Sequence, residues 1–138
     1  MKIFLAAPFY GDDRNKETIL DIITELEKGG NSVFCFMEHE EDWGQNKIEP
    51  SEIYSKTLYE ISNSDIVVAY IEENCPGVAI EVGMATALNI EIYSFYLTSL
   101  KRVGAYKGVS TKYYQVNKVN ELPKVIANKI PNNLNAPN

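Results

Sequence analysis

The chain has 138 residues, 45% of them hydrophobic and 23% charged, with a formal net charge of −6. That length supports one domain whose core needs no metal or disulfide staple, and the two cysteines, Cys35 and Cys75, lie outside any CxxC pair and so suggest neither a zinc site nor a redox motif. The negative balance argues against a nucleic-acid partner, because phosphate backbones recruit basic faces. With no signal peptide and no apolar run near the ~20 residues of a membrane helix, the expected location is the cytoplasm, away from membranes.

Residues 2–8 (KIFLAAP) form a short apolar run ending in proline and read as a buried first strand. Turn chemistry follows at 9–14 (FYGDDR). Ile19, Ile22, Ile23 and Leu26 then repeat at helical spacing until Gly29 and Gly30 stop the helix. Residues 32–37 (SVFCFM) read as a second buried strand. A polar loop of about a dozen residues spans 38–50, a length common in functional segments. It carries the single His and the single Trp, His39 and Trp43. Pro50 opens a second helix whose apolar side is expected to be Ile53, Tyr54, Leu58 and Ile61. Residues 65–71 (DIVVAYI) give the clearest strand. Pro76 suits a first helical position, and the third helix runs over 77–88. Strands at 90–97 and 112–116 and a helix at 121–130 close the domain. The Asn- and Pro-rich tail, 131–138, is expected to be disordered.

Continuously apolar strands alternating with helices predict an α/β fold. The expected form is a single-domain, doubly wound, mainly parallel five-stranded sheet over residues 1–130, Rossmann- or flavodoxin-like. Ligands of such sheets sit outside the carboxyl ends of the strands at the switch point. Residues 8–12, 37–43 and 72–77 should therefore converge on one crevice.

The third helix reads GVAIEVGMATAL, and within it only Glu81 and Thr86 carry polar side chains. At helical spacing Glu81 shares a face with Val78, Met84, Ala85 and Leu88. A carboxylate in such a setting is costly unless paired, and local pattern conflicts with burial mostly at functional sites. The early helical turns favour negative charge, and Gly77, Ala79, Gly83 and Ala85 leave room for a close approach. A buried carboxylate can attack a sugar carbon. The competing reading is structural: Glu81 caps a neighbouring backbone or pairs with Lys2 or Arg14.

The blocks KIFLAAPF (2–9), SDIVVAYI (64–71) and PGVAIEVGMATAL (76–88) resemble, in order and spacing, the nucleoside 2-deoxyribosyltransferase family. The resemblance extends to about residue 130. It implies that Glu81 is the nucleophile that attacks the anomeric carbon of a 2′-deoxynucleoside, releasing the base and passing the sugar to a second base or to water. It places substrate contacts at Ala6, Pro8, Phe9 and Tyr10, with Phe9 and Tyr10 as stacking rings. His39, Asp65, Asn74, Gly77 and Met84 complete the expected lining. Asp65 is also open to a structural role, and Trp43 to a role as a lid or as packing on the second helix or a partner. The resemblance further implies a homo-oligomer with a shared site and a small nucleoside or nucleotide as ligand. No metal or other cofactor is expected, since no ligand spacing and no GxGxxG are present.

Two departures stand out. Thr57 and Cys75 occupy positions where the family has aspartates that handle the leaving base. The replacement proton donor is sought among Glu38, His39, Asp42, Glu72, Glu73 and Asn74. A related branch hydrolyses nucleoside 5′-monophosphates, and Met37-Glu38-His39 resembles its Glu-His pair. That branch holds phosphate with a serine and an arginine in the first loop, which Ala7-Pro8-Phe9-Tyr10-Gly11 lacks. The nucleoside reading therefore precedes three alternatives: a 5′-monophosphate N-glycosidase, a glycosidase for another ribosyl compound such as NAD, and a non-catalytic binding module.

Overall fold

The computed structural model describes residues 1–131, and the expectation for the tail concerns residues that, apart from Pro131, lie outside them. Five strands, β1 (Lys2–Ala6), β2 (Ser32–Phe34), β3 (Ile66–Ile71), β4 (Glu91–Leu97) and β5 (Lys112–Val116), pair in the order β2-β1-β3-β4-β5. All four pairings are parallel. Parallel neighbours demand crossovers, supplied by α1 (Lys16–Lys28), α2 (Phe36–His39), α3 (Pro50–Ser62), α4 (Pro76–Ala87) and α5 (Gly104–Val109), while α6 (Leu122–Lys129) follows the last strand and packs on α1.

Side chains alternate across the strands and build two cores. Ile3, Leu5, Val68, Tyr70 and Phe95 pack with α1 and α6 on one face. Phe4, Ala6, Val67, Ala69, Ile71 and Tyr96 pack with α3 and α4 on the other. All six residues of β3 are buried, as expected of a central strand covered on both sides. The chain order reverses between β1 and β3. The switch-point crevice therefore opens between the turns after Ala6 and after Ile71. Among the described residues no helix is long and apolar enough to cross a membrane.

The doubly wound sheet is as expected, but three local expectations are not met. β2 ends at Phe34 rather than continuing to Met37: Glu38 and His39 donate their amides to Cys35 O and begin α2. The loop over 38–50 is thus partly ordered, with a further 3-10 turn at Asp42–Gly44. On α3 the buried residues are Thr57 and Ile61, while Tyr54 and Leu58 are exposed. The helix turns a mixed face to the sheet and leaves an apolar stripe outside. Likewise Leu88, expected on the inner face with Glu81, is exposed.

Candidate active site

Glu81 lies in the second turn of α4, which begins at Pro76 directly after the turn that leaves β3. Its neighbours Val78 and Ala85 are buried, and Met84 and Glu81 itself are half-buried. The structural partners considered for it are engaged elsewhere. Lys2 pairs with Glu60 at 3.7 Å and Arg14 with Asp12 at 3.1 Å. Without a compensating cation, burial first and the nearby Glu41 charge second push the Glu81 carboxyl up to about 8 from a usual value of 4.5. Burial foremost, and then the Glu81 charge, raise the Cys35 thiol just after β2. Glu81 therefore faces the segment that follows β2.

That segment carries more acids than partners. Glu38 Oε2 is buried without a hydrogen bond and stands 3.9 Å from His39 Nδ1. His39 is exposed but not free: its Nδ1 accepts the Cys35 amide at 3.1 Å, and its ring stacks on Phe34 at 5.1 Å. Burial raises the Glu41 carboxyl. Trp43 is buried, and its ring meets Phe9 edge-on at 6.5 Å with the Lys16 ammonium 5.4 Å from its centre. Asp42, Trp43 and Gly44 all have left-handed backbone, with φ of 44°, 53° and 91°. Two successive non-glycine residues in that region cost energy, which the Trp43 packing offsets. Trp43 thus packs on the first turn and α1, neither on α3 nor as an open lid.

Across the switch point Tyr10 Oη donates to Glu72 Oε2 at 2.6 Å, joining the turns after β1 and β3. Burial and this carboxylate push the Tyr10 phenol up to about 12. Burial and Glu72 likewise raise Tyr70 beneath it. Two cavities open here. One of about 820 Å³ is lined by Cys75, Pro76, Arg102 and Tyr106, and one of about 700 Å³ by Tyr10, Asn15, Tyr70 and Glu72. Neither is lined by Glu81. Cavity size and chemistry thus disagree: the open volumes and the unpaired carboxyl lie at different places.

The expected contact residues fare differently. Ala6 is fully buried opposite Ala69 at the end of β1. The buried Pro8 accepts Asn15 Nδ2 through its carbonyl. Phe9 is engaged by Trp43, so it is not the free stacking ring expected. Tyr10 and Asn74 do line the crevice. At Gly77 an added Cβ would meet nothing within 4 Å, and the same holds at Gly83, so the chain leaves open space along α4. Asp65 requires correction as a substrate contact. It lies at the amino edge, where its Oδ2 accepts the Lys2 amide at 2.7 Å and its own amide donates to Lys2 O at 2.7 Å. The two family departures are also placed. Thr57 is buried on α3, and Cys75 Sγ bonds Glu72 O at 2.8 Å just before α4.

A family model described as nucleoside 2-deoxyribosyltransferase matches residues 3–120. The chain belongs to the nucleoside 2-deoxyribosyltransferase family. No curated protein sequence matches it. Among solved structures, the Clostridium botulinum CMP N-glycosidase BcmB superposes with a TM-score of 0.70 at 24% identity, over 91% of this chain and 98% of that one. The 2-deoxyribosyltransferase of Bacillus psychrosaccharolyticus gives 0.68 at 21% identity, over 89% and 90%. The protein BlsM gives 0.71 at 24% identity, over 91% and 86%. At these identities the likeness shows the shared fold. Within this family member, Glu41 is the residue that sequence reasoning missed. It stands in the acidic run Glu38 to Asp42, where nothing local marks one acid from the next.

Proposed function

We propose that the chain cleaves the N-glycosidic bond of a 2′-deoxynucleoside, with Glu81 as nucleophile. The observation that carries this reading is an unpaired, half-buried carboxyl on the second turn of α4, raised to about 8. The Glu81 carboxylate attacks C1′ of the sugar. The C1′–N bond breaks, its electron pair leaves with the base, and the base nitrogen takes up a proton. A second base or a water then attacks C1′, loses its own proton and releases the carboxylate. With Thr57 and Cys75 in place of acids, the proton for the leaving base is assigned to Glu41, the carboxyl that Glu81 senses. The first loop, Ala7-Pro8-Phe9-Tyr10-Gly11, has no serine or arginine to hold a phosphate, which favours the nucleoside over the 5′-monophosphate.

A second copy of the chain is the proposed cover for the exposed apolar residues of α3 and α4, namely Tyr54, Leu58, Tyr59, Ile80 and Leu88. Leu58→Lys is then expected to lower the oligomeric state on size-exclusion chromatography. An unchanged elution volume removes this face as the interface.

The deciding experiment is an intact-mass measurement after incubation with a panel of 2′-deoxynucleosides, with free base followed by chromatography. A deoxyribosyl adduct that is absent in Glu81→Ala, together with released base, establishes nucleophile and reaction class. Neither adduct nor base from any nucleoside overturns the reading.

A further inference from the structure

The cavity of about 700 Å³ extends over the α1 side of the sheet and shares Glu72, Glu73, Asn74 and Leu100 with the cavity that reaches α4, but none of its lining belongs to α4 itself. Thr18 of α1 and Val119 of the 3-10 turn before α6 form its walls, and Leu97 and Leu100 at the end of β4 add apolar surface. Its volume suits a small organic molecule, and it lies where open α/β sheets take ligands.

Its charged groups are mostly acceptors, set among the hydroxyls of Thr18, Tyr70 and Ser99. Glu72 receives the Tyr10 hydroxyl and also meets that of Tyr70, and a carboxylate has room for about four such bonds. Glu73 adds a second carboxylate. Asn15 is 8% exposed, and its Nδ2 donates to Pro8 O at 2.7 Å. A carbonyl only accepts, so this bond fixes which end of the amide is oxygen. Asn15 Oδ1 is left buried without a partner. Asn15 stands at the N-cap of α1 yet makes no side-chain capping bond, so the helix does not use that oxygen. The one cation of the lining, Arg14, is bound to Asp12 at 3.1 Å and lies 4.5 Å over the Tyr10 ring. An anion would meet Glu72 and Glu73, and a bare hydrocarbon would leave the acceptors unsatisfied.

We propose that this crevice is a second ligand site, separate from the Glu81 cleft, for a small molecule presenting an amino, amidino or guanidino group on a flat or aliphatic body. The N–H donors bond Glu72 and Asn15 Oδ1, while the body packs on Leu97, Leu100 and Val119. Binding here depends on acceptor geometry and carboxylate charge, and the reaction at Glu81 contributes nothing to it.

Calorimetric titration of the full chain with agmatine and with cytosine tests this, with uracil as the counterpart that has a carbonyl where cytosine has its amino group. Binding of agmatine alone identifies a cationic ligand, and binding of cytosine in preference to uracil identifies an aminated base. Either result supports the site. Glu72→Gln should weaken the bound probe about tenfold, the size expected for losing a hydrogen bond to a charged group. Val119 is 41% exposed on its turn, so Val119→Trp should fold, fill the crevice and abolish binding. Ser99→Trp repeats that test from the opposite wall. Glu81→Gln should leave the affinity unchanged. Failure of both probes to bind more tightly than uracil overturns the proposal. So does undiminished binding in both tryptophan variants, or loss of binding in Glu81→Gln.

Discussion

The amino edge of the sheet and the surroundings of Glu81 treat carboxylates in opposite ways. At the amino edge every acid that meets the strands is satisfied: Asp65 holds the Lys2 amide at 2.7 Å and Glu60 pairs with the Lys2 ammonium. At the carboxyl edge Glu81 has no cation, Glu38 Oε2 has no hydrogen bond, and burial raises Glu41. The residue types match, and only the neighbours differ. An acid that a fold satisfies is part of its structure. An acid that a fold buries and leaves unpaired lowers stability, and it persists where it has chemistry to perform.

The sharpest way to break this contrast is to neutralise both kinds of acid. Glu81→Gln should lower base release by at least ~10³-fold while the protein stays folded, because no other group supplies the attacking oxygen. Turnover near the wild-type rate would remove Glu81 as the nucleophile. In the wild type the reactive form keeps one proton on the Glu81–Glu41 pair. The kcat/KM profile should therefore be bell-shaped, rising as the pair loses its first proton and falling about tenfold per pH unit above pH 8 as it loses the second. A profile flat from pH 5 to 9 would contradict this.

The same carboxyl makes a stability prediction of opposite sense. Its folded pKa of about 8 exceeds the unfolded value near 4.5. The folded state therefore binds the extra proton, and stability falls as pH rises between those two values. Glu81→Gln should leave stability unchanged at pH 4 and add a few kcal/mol at pH 9 in denaturant titrations, with partial solvent access reducing the full linkage value. Equal gains at both pH values would mean that burial of charge is not the cause.

Asp65→Ala should show the amino-edge pattern: a loss of about 1.5–3 kcal/mol for a backbone bond to a charged acceptor, with turnover per folded molecule unchanged. An altered KM in that variant would return Asp65 to the substrate site. The smallest effect is expected from Gly44→Ala. Its φ of 91° disfavours a side chain, yet the added Cβ would meet the Phe9 ring at an ordinary 3.6 Å. The cost should be about 1 kcal/mol in thermal unfolding. No change would mean that the turn relaxes freely.

The sheet was legible because its strands are uninterrupted apolar runs, a pattern that parallel central strands require. Glu81 was legible because one acid among GVAIEVGMATAL has no local excuse. Other features were set by tertiary packing. Which stripe of α3 turns inward depends on the sheet beneath it, so Thr57 is buried while Leu58, one residue on, is exposed. β2 was overread because Phe36 and Met37 are buried as a strand would bury them, though they are buried in a helical turn. α5 has two glycines and no buried residue, so no periodicity announced it. Glu41 becomes distinct from Glu38, Glu40 and Asp42 only when α4 is brought opposite it.

Trp43 is the single tryptophan of the chain, and it is held against Phe9 and Lys16 in the segment that Glu81 faces. The protein therefore carries an intrinsic fluorophore at one place, near the proposed chemistry. Any ligand or protonation event that shifts residues 36–46 will change emission from that one ring. Ligand binding beside this segment can thus be timed by stopped flow with no label added.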